Sequence, residues 1–333
     1  MNLRTPVEIK SKEYPKINHN HSILSLGSCF SEHIGCKLVQ AKLDCTVNPY
    51  GVLYNPLSIE TAIREMCSEK LYLEDDLFLY NGEWHSWMHH GSFSALRKED
   101  ILDKINSRLQ QIREKLHNLD YLFITFGSAW VYKRIEDGAV VSNCHKVPNK
   151  QFRREKLRVP EIVEVYKTLI KDIQEISPQL KIIFSVSPIR HISDGLHQNQ
   201  LSKATLLLAI DALEQLFPDS VFYFPSYEIV LDELRDYRFF ADDMAHPSFL
   251  AVDYIWEKFR QTFFLKDTDS LISQCEQISK SMAHRPSNPK SPAYVSFLEH
   301  LVIKMEQISR NNTKLEFRKE INQCHIQLKK LRE

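Results

Sequence analysis

The stretch ILSLGSCFS, residues 23–31, decides the fold. Its first four residues are an apolar run typical of a buried strand, and Gly27 permits a sharp exit from that strand. The residues after the glycine would open a helix running past His33, and the dipole of that helix favours negative charge at its start. The pattern therefore predicts a strand, a tight turn and a helix, with Ser28 and Cys29 in the turn.

Four further apolar runs predict strands, and helical patterns lie between them. With the first run, the predicted strands are residues 23–26, 43–47, 121–126, 181–186 and 221–224. The helical patterns are residues 58–66, 101–117, 160–176, 202–216 and 249–264. Because strands that alternate with helices form parallel sheets covered on both faces, we expect a three-layer α/β/α fold with a five-stranded, mostly parallel sheet.

Composition and charge narrow the class of protein. The 333 residues include 43 basic and 43 acidic ones, so no net charge favours nucleic acid or an anionic membrane. The polar amino terminus lacks the apolar core typical of a signal peptide, and no apolar run approaches the roughly 18 residues of a membrane span. The seven cysteines have no regular spacing and no CxxC pair, which predicts reduced thiols. We expect a cytoplasmic protein that needs no cofactor.

The end of the chain differs from the α/β part. The turn-forming stretch HRPSNPKSP, residues 284–292, is the best linker candidate. Apolar residues then repeat at spacings of four and three, namely Phe317, Ile321, Cys324, Leu328 and Leu331. This spacing is typical of a helix docked on its neighbour or of a short coiled coil, so docking on this chain and self-association both stay open. We predict an α/β domain at residues 1–266 and a C-terminal helical extension at residues 267–333.

Polar residues follow the predicted strands, where open parallel sheets bind ligands. In the first turn, a Cys29 thiolate at a helix amino terminus is nucleophilic, whereas Ser28 needs a base. The spacing of Asp243 and His246 lets the carboxylate orient the imidazole as a general base, although Asp242 offers a second carboxylate. The alternatives are structural: Ser28 caps the helix, Cys29 packs as a small apolar residue, and the acid and histidine are neighbours by chance.

Other polar residues allow several interpretations. The segment WHSWMHH, residues 84–90, and NCHK, residues 143–146, together suggest a metal site, a lid that stacks on a sugar-like ligand, or plain packing. We assign no metal to the site. Arg190 and Lys146 would clamp an anionic substrate group, or else pair with surface carboxylates.

In their order, these motifs resemble those of the SGNH or GDSL hydrolases, in which a GDS turn follows the first strand and DxxHP precedes the last helix. More closely, the chain resembles the GSCFA family, whose motif is GSCFS here, with Ser31 in place of the final alanine. Its other landmarks are NPYGVLYNP at residues 48–56, NCHK, SPIRH at 187–191 and LRDYRFFADDMAHPS at 234–248. The resemblance covers roughly residues 20 to 265 and implies a flavodoxin-like sheet of the SGNH hydrolase type.

The superfamily resemblance also implies catalytic roles. Asp243 and His246 fall on the DxxHP pair as orienting acid and general base. The serine of the superfamily lies two residues after the glycine, a register that favours Cys29 as nucleophile over Ser28.

An oxyanion hole needs hydrogen-bond donors aimed at the developing charge. The backbone amides of the turn and of Gly51 are the natural candidates. The superfamily also expects an asparagine after the third strand, where this chain has Ser128, so either Ser128 or Asn48 would supply the missing donor. His145, Lys146 and Arg190 complete the predicted substrate-binding set.

The leading functional hypothesis is hydrolysis of a small-molecule or carbohydrate ester, or of a lipid-like one, by this triad. The same residues would serve an acyltransferase. A non-catalytic binding module that keeps the fold is the third hypothesis, consistent with the missing asparagine. A scaffold that forms homo-oligomers through the C-terminal helices is the fourth.

Overall fold

The computed structural model describes residues 5–284, 286–288 and 290–332. Numbered along the chain, the strands are β1 (Ser22–Gly27), β2 (Asp44–Val47), β3 (Leu77–Tyr80), β4 (Glu83–Ser86), β5 (Tyr121–Phe126), β6 (Trp130–Arg134), β7 (Val140–Val141), β8 (Phe152–Lys156), β9 (Lys181–Val186) and β10 (Val221–Tyr223). The central sheet has the order β2, β1, β5, β9, β10, and every neighbouring pair is parallel. The predicted five-stranded sheet is therefore confirmed, and its order is that of flavodoxin-like sheets.

Helices cover both faces of this sheet. They are α1 (Cys29–Gln40), α2 (Pro56–Cys67), α3 (Lys98–Leu116), α4 (Val159–Ile176), α5 (Leu196–Leu216), α6 (Ser226–Glu228), α7 (Phe249–Phe263), α8 (Lys266–Ala283), α9 (Pro292–Asn311) and α10 (Arg318–Arg332). The apolar faces of α2, α3, α4 and α5 share one core with the sheet, whereas those of α1 and α7 share a second core on its other face. This arrangement confirms the three-layer α/β/α architecture.

Two small antiparallel sheets were not predicted. Strands β3 and β4 form a hairpin between α2 and α3, and β6 pairs with both β7 and β8 between β5 and α4. These strands are two to five residues long and largely half-exposed, so they lack the apolar runs that identify buried strands. Strand β8, with the sequence FRREK, is mostly charged. Helix α5 also begins at Leu196, six residues before its predicted start.

The C-terminal helices α8, α9 and α10 pack on one another around a core of their own. Phe317, Cys324 and Leu328 are buried in that core, so the apolar seam of α10 docks on the helices of this chain. Salt bridges from Arg260 on α7 to Asp269 (2.6 Å) and Glu276 (3.0 Å) on α8 join the extension to the α/β part. Within the predicted linker at 284–292, Arg285 and Pro289 lie outside the described residues. The boundary at residue 266 stays a prediction.

The ranges 5–284, 286–288 and 290–332 contain no helix with the length and apolar character that crossing a membrane would require.

Candidate active site

The turn between β1 and α1 exposes one reactive side chain and buries the other. Gly27 has a φ of 137°, and a Cβ there would lie 2.2 Å from the carbonyl oxygen of Thr125, so the position requires glycine. Ser28 is buried and caps α1, since its Oγ accepts a hydrogen bond from the Phe30 amide at 3.3 Å. The Cys29 thiol begins the helix, is partly exposed, and lies 3.3 Å from the Tyr54 hydroxyl.

Asn48, in the loop after β2, supports this turn through its side chain. The Oδ1 atom of Asn48 accepts hydrogen bonds from the Gly27 amide (2.9 Å) and the Ser31 hydroxyl (3.3 Å). The Gly51 amide donates to the Asn48 carbonyl at 2.7 Å, so it is already used within its own turn. The Nδ2 atom of Asn48 is buried and has no hydrogen-bond partner among the described residues. Of these two residues, Asn48 is therefore the one with an unused donor.

The loop before α7 carries a dyad, the carboxylate of Asp243 and the imidazole of His246. The Oδ2 atom of Asp243 lies 2.5 Å from Nδ1 of His246, and its Oδ1 accepts the amides of Ala245 and His246, each at 2.9 Å. The two backbone amides, followed by the imidazole, lower the pKa of Asp243 to about 2. Because a carboxylate on Nδ1 keeps the proton of a neutral imidazole there, Nε2 of His246 is left as a proton acceptor.

Contacts to the strand ends hold this loop in place. The Ala245 carbonyl accepts the Arg190 amide at 3.1 Å, which ties the loop to the segment after β9. The His246 carbonyl accepts the Ala241 amide at 2.8 Å, so the loop also closes on itself. Met244, at the tip, has a φ of 57°. Positive φ at a residue with a side chain requires support from the surrounding structure, which these hydrogen bonds provide.

A cavity of about 580 Å³ at the carboxyl edge of the sheet brings the turn and the pair together. Ser28 and His246 both line it, although Cys29 is outside its lining. Desolvation lowers the pKa of His33, which lies four residues after Cys29 on α1, whereas the charge of Glu32 raises it and that of His246 lowers it.

The other predicted binding residues divide into two groups. Ser128 and Arg190 line the cavity, whereas Gly51, Asn48, His145 and Lys146 lie outside its lining. The Ser128 hydroxyl accepts the Trp130 amide at 3.1 Å. The imidazole of His145 is 2.9 Å from the Ser86 carbonyl, in contact with β4, and Lys146 is exposed. Of the NCHK residues, Asn143 and Cys144 line the cavity, whereas His145 and Lys146 do not.

Two family models match this chain, one in the α/β part and one in the helical extension. A model described as the GSCFA family matches residues 22–259, a span that contains both the turn and the Asp243 and His246 pair. The chain belongs to the GSCFA family. A second model, described as the C-terminal domain of GSCFA domain proteins, matches residues 275–330 of the same chain. No curated protein matches the chain.

The histidines of WHSWMHH serve different purposes in this GSCFA chain. His85 bonds to the Ser94 hydroxyl (2.6 Å) and the Tyr80 carbonyl (3.1 Å). His89 stacks on Tyr50 with ring centroids 4.4 Å apart, and burial lowers its pKa to about 3. His90 lines the cavity. No group of three or more His, Cys, Asp or Glu side chains placed to hold a metal ion occurs in the described ranges.

A buried lysine beneath the cavity of this GSCFA chain is not among the residues predicted from the sequence. Lys203 on α5 is fully buried, and its Nζ donates to the carbonyls of Gly127 (2.6 Å) and Ser187 (2.7 Å), which follow β5 and β9. Burial lowers its pKa to about 7. Burial also lowers the pKa of His191, a cavity residue, to about 4, and the charge of Lys203 contributes. The helical period was a usable signal, since Lys203 lies three residues before Leu206 and seven before Ile210, on the buried face of α5.

Proposed function

We propose that this GSCFA chain is a hydrolase of the SGNH type that acts on ester bonds. The observation that carries the proposal is the 2.5 Å contact between Asp243 and His246 at a cavity that the β1–α1 turn also lines. The strand, turn and helix order of residues 22–40, together with the DxxHP spacing before α7, supports placement in that superfamily.

Cys29 is the proposed nucleophile because the two turn residues differ in what their side chains are free to do. The Ser28 hydroxyl is buried and accepts the capping bond of α1, although the residue lines the cavity. The Cys29 thiol is partly exposed, and the helix amino terminus stabilises a thiolate. Burial, and then the contact with Cys29, raises the pKa of Tyr54, so its hydroxyl stays protonated and able to donate to the sulfur.

The mechanism follows from these roles. His246 Nε2 takes the thiol proton while Sγ attacks the ester carbonyl, and Asp243 stabilises the resulting imidazolium. The Cys29 amide and Asn48 Nδ2 are the candidate donors to the oxyanion, since the Gly27 amide donates to Asn48 Oδ1 and the Ser28 amide to the Thr125 carbonyl (3.2 Å). When the intermediate collapses, the carbon–oxygen ester bond breaks and His246 returns its proton to the departing alkoxide. Water, deprotonated by His246, then attacks the thioester and releases the acid and the free thiol.

The test compares two variants of the turn on an activated ester such as 4-nitrophenyl acetate. We expect Cys29→Ala to abolish both the initial burst of 4-nitrophenolate and the steady turnover. Ser28→Ala should keep a turnover within several-fold of the wild type. Cys36→Ala is the matched control, because Cys36 is an exposed cysteine on the same helix. Unchanged turnover in both turn variants would contradict the proposal and favour a non-catalytic binding module.

An acyltransferase shares the acyl-enzyme step, and the size of the cavity favours it as the second candidate. About 580 Å³ accommodates an alcohol acceptor beside a short acyl group. The measurement is the partition of the acyl group between water and added glycerol. If the chain is a hydrolase, free acid should be the main product at all glycerol concentrations. If it is an acyltransferase, the yield of glycerol ester should rise with glycerol concentration and then saturate.

A further inference from the structure

We infer that the substrate carries an anionic group, a carboxylate or a phosphate, and that the guanidinium of Arg190 binds it. The inference rests on the proposed function, because it concerns the substrate of the same cavity. It depends on the position, the partners and the unmatched charge of Arg190.

The position of Arg190 is fixed beside the dyad. Its backbone amide donates to the Ala245 carbonyl at 3.1 Å, within the loop that carries Asp243 and His246. Its guanidinium lies 4.3 Å from the ring centroid of Phe240 and 5.6 Å from that of Tyr237. Stacking on an aromatic face orients the guanidinium plane and leaves its edge donors available. Arg190 and His246 both line the cavity.

The charge of Arg190 is unmatched, in contrast to that of the other arginine in the cavity wall. Arg154 forms a 2.5 Å salt bridge with Asp194 and stacks on Trp130 at 4.3 Å. Arg190 has no carboxylate within ion-pair distance in the part of the chain that the structure describes. Arg190 is half-buried, and none of its side-chain nitrogens is both buried and without a hydrogen-bond partner. Solvent or a ligand can therefore reach them.

These observations fit an anion better than a neutral ligand. A guanidinium presents a planar fork of donors that matches a carboxylate or a phosphate in two parallel hydrogen bonds. Partial burial in a cavity weakens screening by solvent, so an opposite charge gains more there than at an open surface. A neutral ester would displace water from Arg190 without replacing its hydrogen bonds fully. The site therefore selects esters with a carboxylate or phosphate next to the reacting group.

The experiment compares mono-4-nitrophenyl succinate, which has a free carboxylate, with neutral 4-nitrophenyl acetate. We expect Arg190→Gln to lower kcat/KM for the succinate ester roughly ten- to a hundredfold relative to the acetate ester, since a charge-assisted bond is lost. Arg190→Lys keeps the charge without the fork and should recover part of the discrimination. Arg238→Gln is the control, because Arg238 stacks on Phe239 (4.9 Å) and is outside the cavity lining. Equal losses for both esters in Arg190→Gln would overturn the inference.

A binding measurement separates this inference from the proposed function. Succinate and inorganic phosphate are titrated separately into the full-length wild type, Arg190→Gln and Arg238→Gln. If the wild type hydrolyses neither ester yet binds one anion, and only Arg190→Gln loses that binding, the anion site stands and hydrolysis fails. The anion that binds identifies the carboxylate or the phosphate as the preferred group. Absence of binding by both anions, together with equal rates on both esters, would refute the anion site.

Discussion

Asp243 shapes the proposed chemistry through three hydrogen bonds from its own loop. One carboxylate oxygen accepts two backbone amides and the other contacts Nδ1 of His246. Since these bonds hold its pKa near 2, the side chain stays ionised throughout the pH range in which a histidine works as a base. The acid therefore selects the tautomer of His246 without taking its proton.

The first prediction concerns this selection. Asp243→Asn keeps an Oδ1 acceptor for the two amides but removes the charge that holds the proton on Nδ1 of His246. We expect kcat on 4-nitrophenyl acetate to fall about 10²- to 10⁴-fold, because the tautomer and the imidazolium both lose support. Asp242→Asn, at the exposed neighbouring carboxylate, should stay within twofold. Similar losses in both variants would show that Asp243 has no specific role.

The second prediction separates capping from catalysis at Ser28. Loss of the hydrogen bond that the Phe30 amide donates to Ser28 Oγ removes the amino-terminal cap of α1. Ser28→Ala should therefore lower the free energy of unfolding by about 1 kcal/mol in urea titrations. Ser28→Asp restores a capping acceptor and should recover much of this stability if the cavity admits the carboxylate. Unchanged stability in Ser28→Ala would mean that the cap contributes nothing.

At the scale of elements, Lys203 ties α5 to the ends of two strands. The carbonyls of Gly127 and Ser187 lie where β5 and β9 lead into the cavity wall, and a single amine bonds to both. His191, Asp194 and the ring of Tyr227 (5.9 Å) surround that amine. The two strand ends at the cavity are thus held together by the Lys203 amine, whose protonation changes with pH and which is outside the cavity lining.

The third prediction is a pH dependence of stability. The pKa of Lys203 is about 7 in the folded chain and near 10.5 when solvated. Between these values the unfolded chain binds more protons, so the free energy of unfolding should rise with pH, by at most about 1.4 kcal/mol per pH unit. Below pH 7 both states are protonated and this contribution is constant. Lys203→Met should flatten the rise in urea titrations between pH 7 and 9.5, and an unaltered slope would contradict the assignment.

The sequence was sufficient for the elements that bury apolar runs. All five central strands were predicted within a residue of their observed ends, because parallel strands covered on both faces need uninterrupted apolar sequence. Strand β8 and the hairpin β3–β4 were not predicted, since their residues are charged or half-exposed and pair only through tertiary contacts. For the same reason the sequence suggested the dyad but not Arg154 and Trp130, which β8 and β6 bring into the cavity wall.

At the scale of the whole molecule, the helical extension has its own core and is attached to the rest both by polar contacts and by Ile272 of α8, which is buried in the core that α1 and α7 share. Met305 is fully buried among α8, α9 and α10, whereas Arg260 and Trp256 join α7 to α8 through Asp269 and Glu276. A salt bridge from Lys42 to Glu320 (2.5 Å) adds a contact between α10 and the loop after α1. These contacts lie on α7, α8, α10 and the α1–β2 loop, and none of their residues lines the cavity.

The fourth prediction tests that separation. Met305→Ala should destabilise the extension by about 2–5 kcal/mol, as expected for a large-to-small change in a packed core. Because the cavity lies in the α/β part, hydrolysis of 4-nitrophenyl acetate should stay within twofold of the wild type at 25 °C. Amide hydrogen exchange would locate the loss of protection in α8, α9 and α10. A parallel loss of turnover would show that the extension supports the site.

The order of the strands has a consequence for synthesis of the chain. The turn at Gly27 belongs to a strand with neighbours on both sides, and His246 follows the last strand of the sheet. A nascent chain in which Cys29 has left the ribosome must therefore be extended by 217 more residues before His246 is added. Ribosome-bound and prematurely terminated products would carry the proposed nucleophile without the proposed base. The proposed active site would thus be complete only after translation of the α/β part.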